Sequence, residues 1–544
     1  MRFLPSALAA SLCVAGIATL AAQTPAPGST ARFTIELADY ATVPMTGSTT
    51  GTGNGGSLAR INVLRQEPAG LRRLWTNDLN GPLYIIDPRS KVFTPYLNFN
   101  GRDGKPGLFE KLPTAQGYAN GLVTFQFDPD YGRNGIFYTV HIEEPAAPGS
   151  SMPRASAVPG LDLTGYTTTA PIKTPGDQLD REAVVIEWTD RNIENATFEG
   201  RAREILRVQL NTRIHPMGDL IFNPTARAGD ADWRVMYIGC GDGGSGEQTA
   251  LSMRMNPQRL DTMVGKILRI IPDLALHPSS STVSDNGRYR VPSDNPFVKI
   301  AGARPEVWAY GLRNPHRLTW DVDPARPADS HLLAAVIGLH AWETVVVVRK
   351  GANYGYSERE GNQQLVAANT TGPLPSPDRV PVRIDGTKTE GEVTPTYPVL
   401  QYGHVPGGGD GIAGGFVYRG KKLPALAGKY IFADITTGRI WVADYKAMLA
   451  ADDGKPETMA AFEEVQVRWT PPGVSAPGVY PTMFPVVLAA YKARGGVDPD
   501  LPGTSTVSGP GRADIRLAVD GTGELLILSK VDGMIRTVTG FAAR

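Results

Sequence analysis

The chain has 544 residues, with 54 basic and 54 acidic side chains that cancel. That balance excludes the strong positive field of a nucleic-acid or anionic-membrane binder. With 61 glycines, 45 prolines and 41% hydrophobic residues, the composition suits many short strands and turns rather than disorder.

Met1-Arg2 opens the chain with a positive charge, and Ala7 to Ala22 form an apolar stretch that closes on small residues before the polar "QTPAPGST". That order of charge, apolar core and small-residue exit predicts a signal peptide over 1–22 and a secreted or periplasmic protein. The stretch is shorter than the roughly 20 residues of a spanning helix, and no later segment is apolar enough to cross a membrane. Cys13 leaves with the signal. Cys240 is then the only cysteine, so no internal disulfide is expected and stability must come from an ordinary core.

Further along, short alternating or β-branched runs recur, each ended by Gly, Asp, Asn or Pro. "LRRLWTNDLNGPLYIID" is the first pair of strands around a turn, and "LVTFQFDPDYGRNGIFYTVHI" the second, turning at Asn134-Gly135. The plan returns in "LIFNPTARAGDADWRVMYIGCGD" and "RLTWDVDPARPADSHLLAAVIG". It closes with "GGFVYRG…GKYIFADITTGRIWVADY" and "IRLAVDGTGELLILSKVDGMIRTVT". Repetition of this kind predicts an all-β six-bladed β-propeller with long loop insertions, occupying residues 30–544. Each repeat has about 87 residues, well above the roughly 40–45 of a compact blade. The surplus falls in the Pro- and Gly-rich stretches 145–177, 274–300, 358–394 and 470–510. Loops on a rigid scaffold usually carry binding. A pair of β-sandwiches is the alternative, but no Pro/Ser-rich break divides the chain.

Several motifs fall in one order: "HPMGDLIFNP", "YIGCGDGG", "VGKILRI", "SDNPF", "EVWAYGLRNPHRLTWD", "KGANYGY" and "GGFVYRG". Together, from about Leu58 to Thr539, they resemble the glucose/sorbosone dehydrogenase family of soluble quinoprotein sugar dehydrogenases. The resemblance implies a six-bladed propeller that binds pyrroloquinoline quinone (PQQ) with calcium and oxidises sugar C–H groups by hydride transfer. Alcohol oxidation needs a base for the hydroxyl proton, and His is the usual choice near neutral pH. A flat tricarboxylate needs Arg or Lys groups, and a cation to polarise its carbonyl. By the resemblance, His215 is the base and Asp242 the acidic residue beside the substrate. Arg313 and Asn314 contact the quinone, Arg419 stands at the family's lysine, and Arg512 and Arg516 stand near its last arginine pair. The calcium loop reads "IGLHAWE", offering the backbone carbonyls of Ile337 and Gly338. Its opening and close depart from the quinone-dependent pattern and resemble the hedgehog-interacting-protein-like branch.

Taken singly, each residue has a plainer reading. His215 could tie down a loop, Asp242 form an Asp-Gly turn, Arg313 bridge two blades, and Asn314 turn the chain before Pro315. His340 lacks a second ligand at metal spacing and reads as a loop or core histidine. "GGGDGIAGG" (407–415) reads as turns rather than a phosphate loop, and Cys240 as a small buried apolar residue. Three functions compete: an exported quinoprotein dehydrogenase with a sugar or polyol and an electron acceptor as partners, a non-catalytic propeller binding a protein or glycan, and a calcium-dependent hydrolase or lactonase.

Overall fold

In the computed structural model, residues 31–543 are described, except 52, 69, 114–118, 177, 368 and 508. The expected signal peptide and Cys13 lie outside the described residues. The rest is mostly β, and all six predicted strand pairs form. Local chemistry explains the turns. In the second pair, Gly135 takes a φ of 62° after the short Tyr131–Asn134 helix, a conformation open to glycine without steric cost. Asn134 Oδ1 accepts from the Ile136 amide at 2.8 Å and Asp128 Oδ1 from the Asp130 amide at 2.9 Å, so the turn's own side chains satisfy its backbone.

Three sheets are plain four-stranded antiparallel meanders. One runs Ile61–Gln66, Leu74–Asp78, Pro82–Ile86, Phe93–Asn98; another Met217–Phe222, Met236–Cys240, Lys266–Ile270, Val307–Tyr310; a third Asn314–Asp321, His331–Ile337, Trp342–Val347, Leu400–Gly403. A fourth has the same body, Leu122–Phe127, Ile136–Glu143, Arg181–Asp190 and Glu199–Leu210, with Gly160–Asp162 added in parallel. A nine-stranded sheet contains a four-stranded run and a three-stranded run that the N-terminal strand completes to four. Ile412–Val417 to Phe462–Trp469 forms one, and Ile515–Val519 to Met534–Ala543 the other. The N-terminal strand Phe33–Thr42 joins them, parallel to the first run and antiparallel to the second. The opening strand of each four-stranded run touches those of its two neighbours, so these strands close a ring. Apolar clusters fill the spaces between sheets, such as Trp75, Phe125, Phe137 and Trp188, all 0% exposed. Truncating one of these to alanine costs about 3–5 kcal/mol.

The long connections differ from expectation. Stretch 274–300 carries the hairpin Ser281–Val283/Arg290–Pro292, and 358–394 carries three short strands and a second hairpin. Stretch 470–510 contains the helix Met483–Ala493, capped by the Thr482 hydroxyl, which accepts from the Phe484 amide at 3.2 Å. Pro485 falls in its first turn, where a missing N–H is tolerated, and Val486, Val487, Ala490 and Tyr491 bury one face. Within 407–415, residues from Ile412 onward form a strand rather than a turn.

Candidate active site

Because the ring strands start at the same end, the residues that precede or open them converge there. They line a cavity of about 580 Å³, whose wall includes His215, Arg313, Asn314, Gly338, Arg512 and Arg516.

His215 sits just before Met217–Phe222 with a φ of 53°, a left-handed conformation that costs a non-glycine residue energy. Its carbonyl accepts from the Gly243 amide at 3.0 Å. A Cβ on Gly241 would lie 2.4 Å from that carbonyl oxygen, so the close approach requires glycine. The ring's Nδ1 is 2.7 Å from Asp242 Oδ1. Asp242 is fully buried and also accepts from the Gly244 amide at 2.8 Å and the Gly246 amide at 3.0 Å. Burial alone would raise its pKa, but the His215 and Arg313 charges and these hydrogen bonds outweigh it and leave the carboxyl below its ordinary value. An ionised Asp242 only accepts, so His215 Nδ1 carries a proton and Nε2 is the ring nitrogen left toward Glu247. Nε2 lies 4.0 Å from Glu247 Oε1.

Arg313 occupies the next side of the cavity. Its Nη2 donates to Glu247 and its Nη1 to Gly338 O, with Ile337 O at 3.4 Å. Burial would lower this guanidinium's pKa, but Glu247, Tyr356 and Asp242 raise it above the ordinary range. Both carbonyls expected to hold calcium therefore already accept from a guanidinium. Behind them the loop amides of Leu339, His340, Ala341 and Trp342 all donate to Glu360 Oε1, at 2.7, 2.7, 2.8 and 3.2 Å. Among the described residues no cluster of three or more His, Cys, Asp or Glu side chains is placed to hold a metal ion. These residues do not fit a divalent cation.

Toward the ring's axis the cavity becomes cationic. Arg516 donates from Nε to Asn62 Oδ1 at 3.2 Å and pairs with Asp514 at 3.1 Å. Lys530 approaches the same carboxylate at 3.7 Å; burial would raise the Asp514 pKa, but Lys530, Arg512, Arg516 and Arg60 together hold it far below the ordinary carboxylate range. Arg317 donates only to backbone carbonyls, those of Gly218, His316 and Asn62. Burial pushes it down to about 9, helped by Arg516 and Arg65 and opposed by Asp219. Asn314 Oδ1 and Arg313 Nε are buried without a hydrogen-bond partner. A planar anion with several carboxylates fits this wall: it would neutralise the excess guanidinium charge and could accept from the orphaned Arg313 Nε.

The structure thus brings His215, Asp242, Arg313, Asn314, Ile337, Gly338, Arg512 and Arg516 together, but not Arg419. That residue follows Ile412–Val417 at the end away from the cavity, about 20 Å along the strand, and pairs with Asp321 at 2.7 and 2.8 Å. His340 is an exposed loop residue on the cavity rim. Cys240 is fully buried, and burial pushes its thiol up to about 12. Sequence reasoning missed Glu247, Arg317 and the pair His404–Glu343, joined at 2.7 Å with His404 on the wall. Burial alone would lower the His404 pKa, but Glu343 outweighs it and the net shift is upward.

The profile described as glucose/sorbosone dehydrogenase matches residues 103–455. The HIPL1 protein of Arabidopsis thaliana is 27% identical over 335 residues, covering 59% of this chain and 43% of that protein. Human Hedgehog-interacting protein is 24% identical over 369 residues, covering 67% of this chain and 39% of its own length. The chain thus spans less than half the length of these curated relatives. The soluble aldose sugar dehydrogenase of Escherichia coli, solved in its apo form, superposes with a TM-score of 0.50 at 16% identity, over 90% of this chain and 97% of that one. At that identity the likeness speaks for the fold alone. On the strength of the matched residues, the chain belongs to the glucose/sorbosone dehydrogenase family.

Proposed function

We propose that the protein is an exported quinoprotein dehydrogenase that oxidises a sugar or polyol, built as one six-bladed propeller over residues 30–544. Counting the nine-stranded sheet as two blades joined by the N-terminal strand supports the blade number. Export rests on the N-terminal sequence; no helix among the described residues is long and apolar enough to cross a membrane.

One observation carries the reading: a His215–Asp242 pair at 2.7 Å on the wall of a cavity rich in guanidinium groups. In this reading, Arg317, Arg512 and Arg516 hold the carboxylates of pyrroloquinoline quinone, and Arg313 and Asn314 complete its pocket. When bound, the quinone supplies the acceptor for the substrate's hydride. His215 Nε2 takes the hydroxyl proton as the hydride leaves, and Asp242 stabilises the imidazolium so formed and fixes its orientation. Glu247, beside Nε2, accepts a hydrogen bond from a neighbouring substrate hydroxyl. A separate electron acceptor would be the second partner of such a site.

The test is to titrate purified protein with the quinone, follow its bound absorbance, and measure dye reduction with a panel of sugars and polyols. Saturable one-to-one binding with sugar-dependent turnover is expected. Absence of binding would overturn the reading and favour a non-catalytic propeller that binds a protein or glycan. The name of one relative, Hedgehog-interacting protein, supports that second reading.

A further inference from the structure

The quinone-dependent reading brings with it a divalent cation held by the carbonyls of the Ile337–Glu343 loop. This loop is arranged for the opposite charge. Calcium takes six to eight oxygen ligands, so a loop that binds it must turn several free carbonyls or carboxylates toward one point. Here four successive amides, from Leu339 to Trp342, converge on Glu360 Oε1. Successive inward N–H groups make an anion-binding concavity, and the Glu360 carboxylate, 3% exposed, fills it. A Cβ on Gly338 would lie 1.8 Å from Trp342 O, so the loop folds tightly on itself at that residue.

The two carbonyls expected to hold calcium and the carboxylates beside them are engaged, while Glu360 Oε2 is buried without a partner. Gly338 O and Ile337 O accept from Arg313 Nη1. Glu247 accepts from Arg313 Nη2. Glu343 accepts from His404 Nε2 at 2.7 Å and the Gly338 amide at 3.1 Å through Oε1, and from the Ile412 amide at 2.7 Å through Oε2. A divalent ion placed at the two carbonyls would meet the Arg313 guanidinium, and like charges at contact repel strongly at a buried site.

We propose that Arg313 is the cation of this loop and that the site takes no divalent metal. The guanidinium presents to the cavity the positive charge that a metal ion would present, and Glu360 holds the loop in the shape that keeps it there. The inference concerns the cofactor requirement of the site described above, yet it can be tested without the quinone.

Trp342 lies in the loop and serves as an antenna for terbium, a luminescent substitute for calcium. The full-length protein, stripped with EDTA, is titrated with Tb³⁺ under tryptophan excitation. The expected result is no saturable emission that Ca²⁺ displaces, and the same melting temperature in EDTA as in Ca²⁺. Ca²⁺-displaceable emission that persists in Trp342→Phe comes from metal elsewhere and also fits. Ca²⁺-displaceable emission that disappears in Trp342→Phe would overturn the proposal. In a parallel arm the quinone is added with EDTA or with Ca²⁺. Equal binding supports a metal-free site, and binding only with Ca²⁺ overturns it. If the quinone binds in neither, the dehydrogenase reading fails and the terbium titration alone decides the question of the metal.

Discussion

Replacing Asp242 by asparagine tests the dyad without changing its shape. The carboxylate accepts three hydrogen bonds: Oδ1 from His215 Nδ1 and the Gly244 amide, Oδ2 from the Gly246 amide. Asparagine offers one carbonyl oxygen and one NH2 group. If its oxygen stays at Oδ1, the NH2 faces the Gly246 N–H and both donors are left unpaired; in the flipped amide His215 Nδ1–H and the Gly244 N–H lose their acceptor instead. Either arrangement costs about 1–3 kcal/mol of stability, measurable as a lower urea midpoint with unchanged m-value. Turnover should fall further, because a neutral partner neither fixes the Nδ1–H tautomer nor stabilises the imidazolium. A loss of about 10²–10⁴-fold in dye-linked kcat is expected. In the His215→Gln background the same substitution should lower kcat by less than about threefold, since residues that act as a unit are not additive. Multiplying losses in the double variant, or Asp242→Asn losing stability while keeping kcat, would refute the dyad.

Three further outcomes follow from the geometry. Gly241→Ala should displace the His215 carbonyl, only 2.4 Å from the new Cβ, and lower kcat while circular dichroism stays native. Arg419→Ala should leave quinone affinity unchanged but cost about 1–3 kcal/mol of stability, because it leaves the buried Asp321, at the far end of its strand, without its arginine. Glu143 is fully buried; burial raises its pKa, but His141 and Arg207 together take it from an ordinary 4.5 down to about 2. A depressed folded pKa means the stabilisation is complete above pH 4.5 and disappears as pH falls through about 2. Glu143→Gln should therefore cost about 3–5 kcal/mol near neutral pH, and urea titrations should show that deficit shrinking on acidification.

The blade strands were legible because alternation and Asn-Gly or Asp-Gly turns act locally. The inserted hairpins were not, since runs of three to five residues such as Ser281–Val283 and Thr389–Val393 carry too few alternations. The helix Met483–Ala493 was hidden by Pro485, which punctuates a pattern that the first turn tolerates. His215, Asp242, Arg313 and Asn314 came from the order of motifs, which reflects the order of ring strands. Glu247 was invisible because a short turn, Ser245–Glu247, brings it back to the cavity without any periodic signal. Arg317 escaped for a related reason. A register shift between Asn314 and Arg317 lets Asn314, His316 and Arg317 all reach the cavity, where strict alternation would have sent one of them away. Arg419 was misplaced because a motif match carries no information about which end of a strand reaches the site.

The central claim is that His215 takes the proton in a cavity that holds the quinone. The measurement that tests it most directly is sugar-dependent dye reduction by quinone-loaded wild-type and His215→Gln proteins at matched cofactor occupancy. The account predicts equal quinone absorbance in both and turnover lower by about 10²–10⁴-fold in the variant. Equal turnover by the two loaded proteins, with the variant merely less stable, would contradict it.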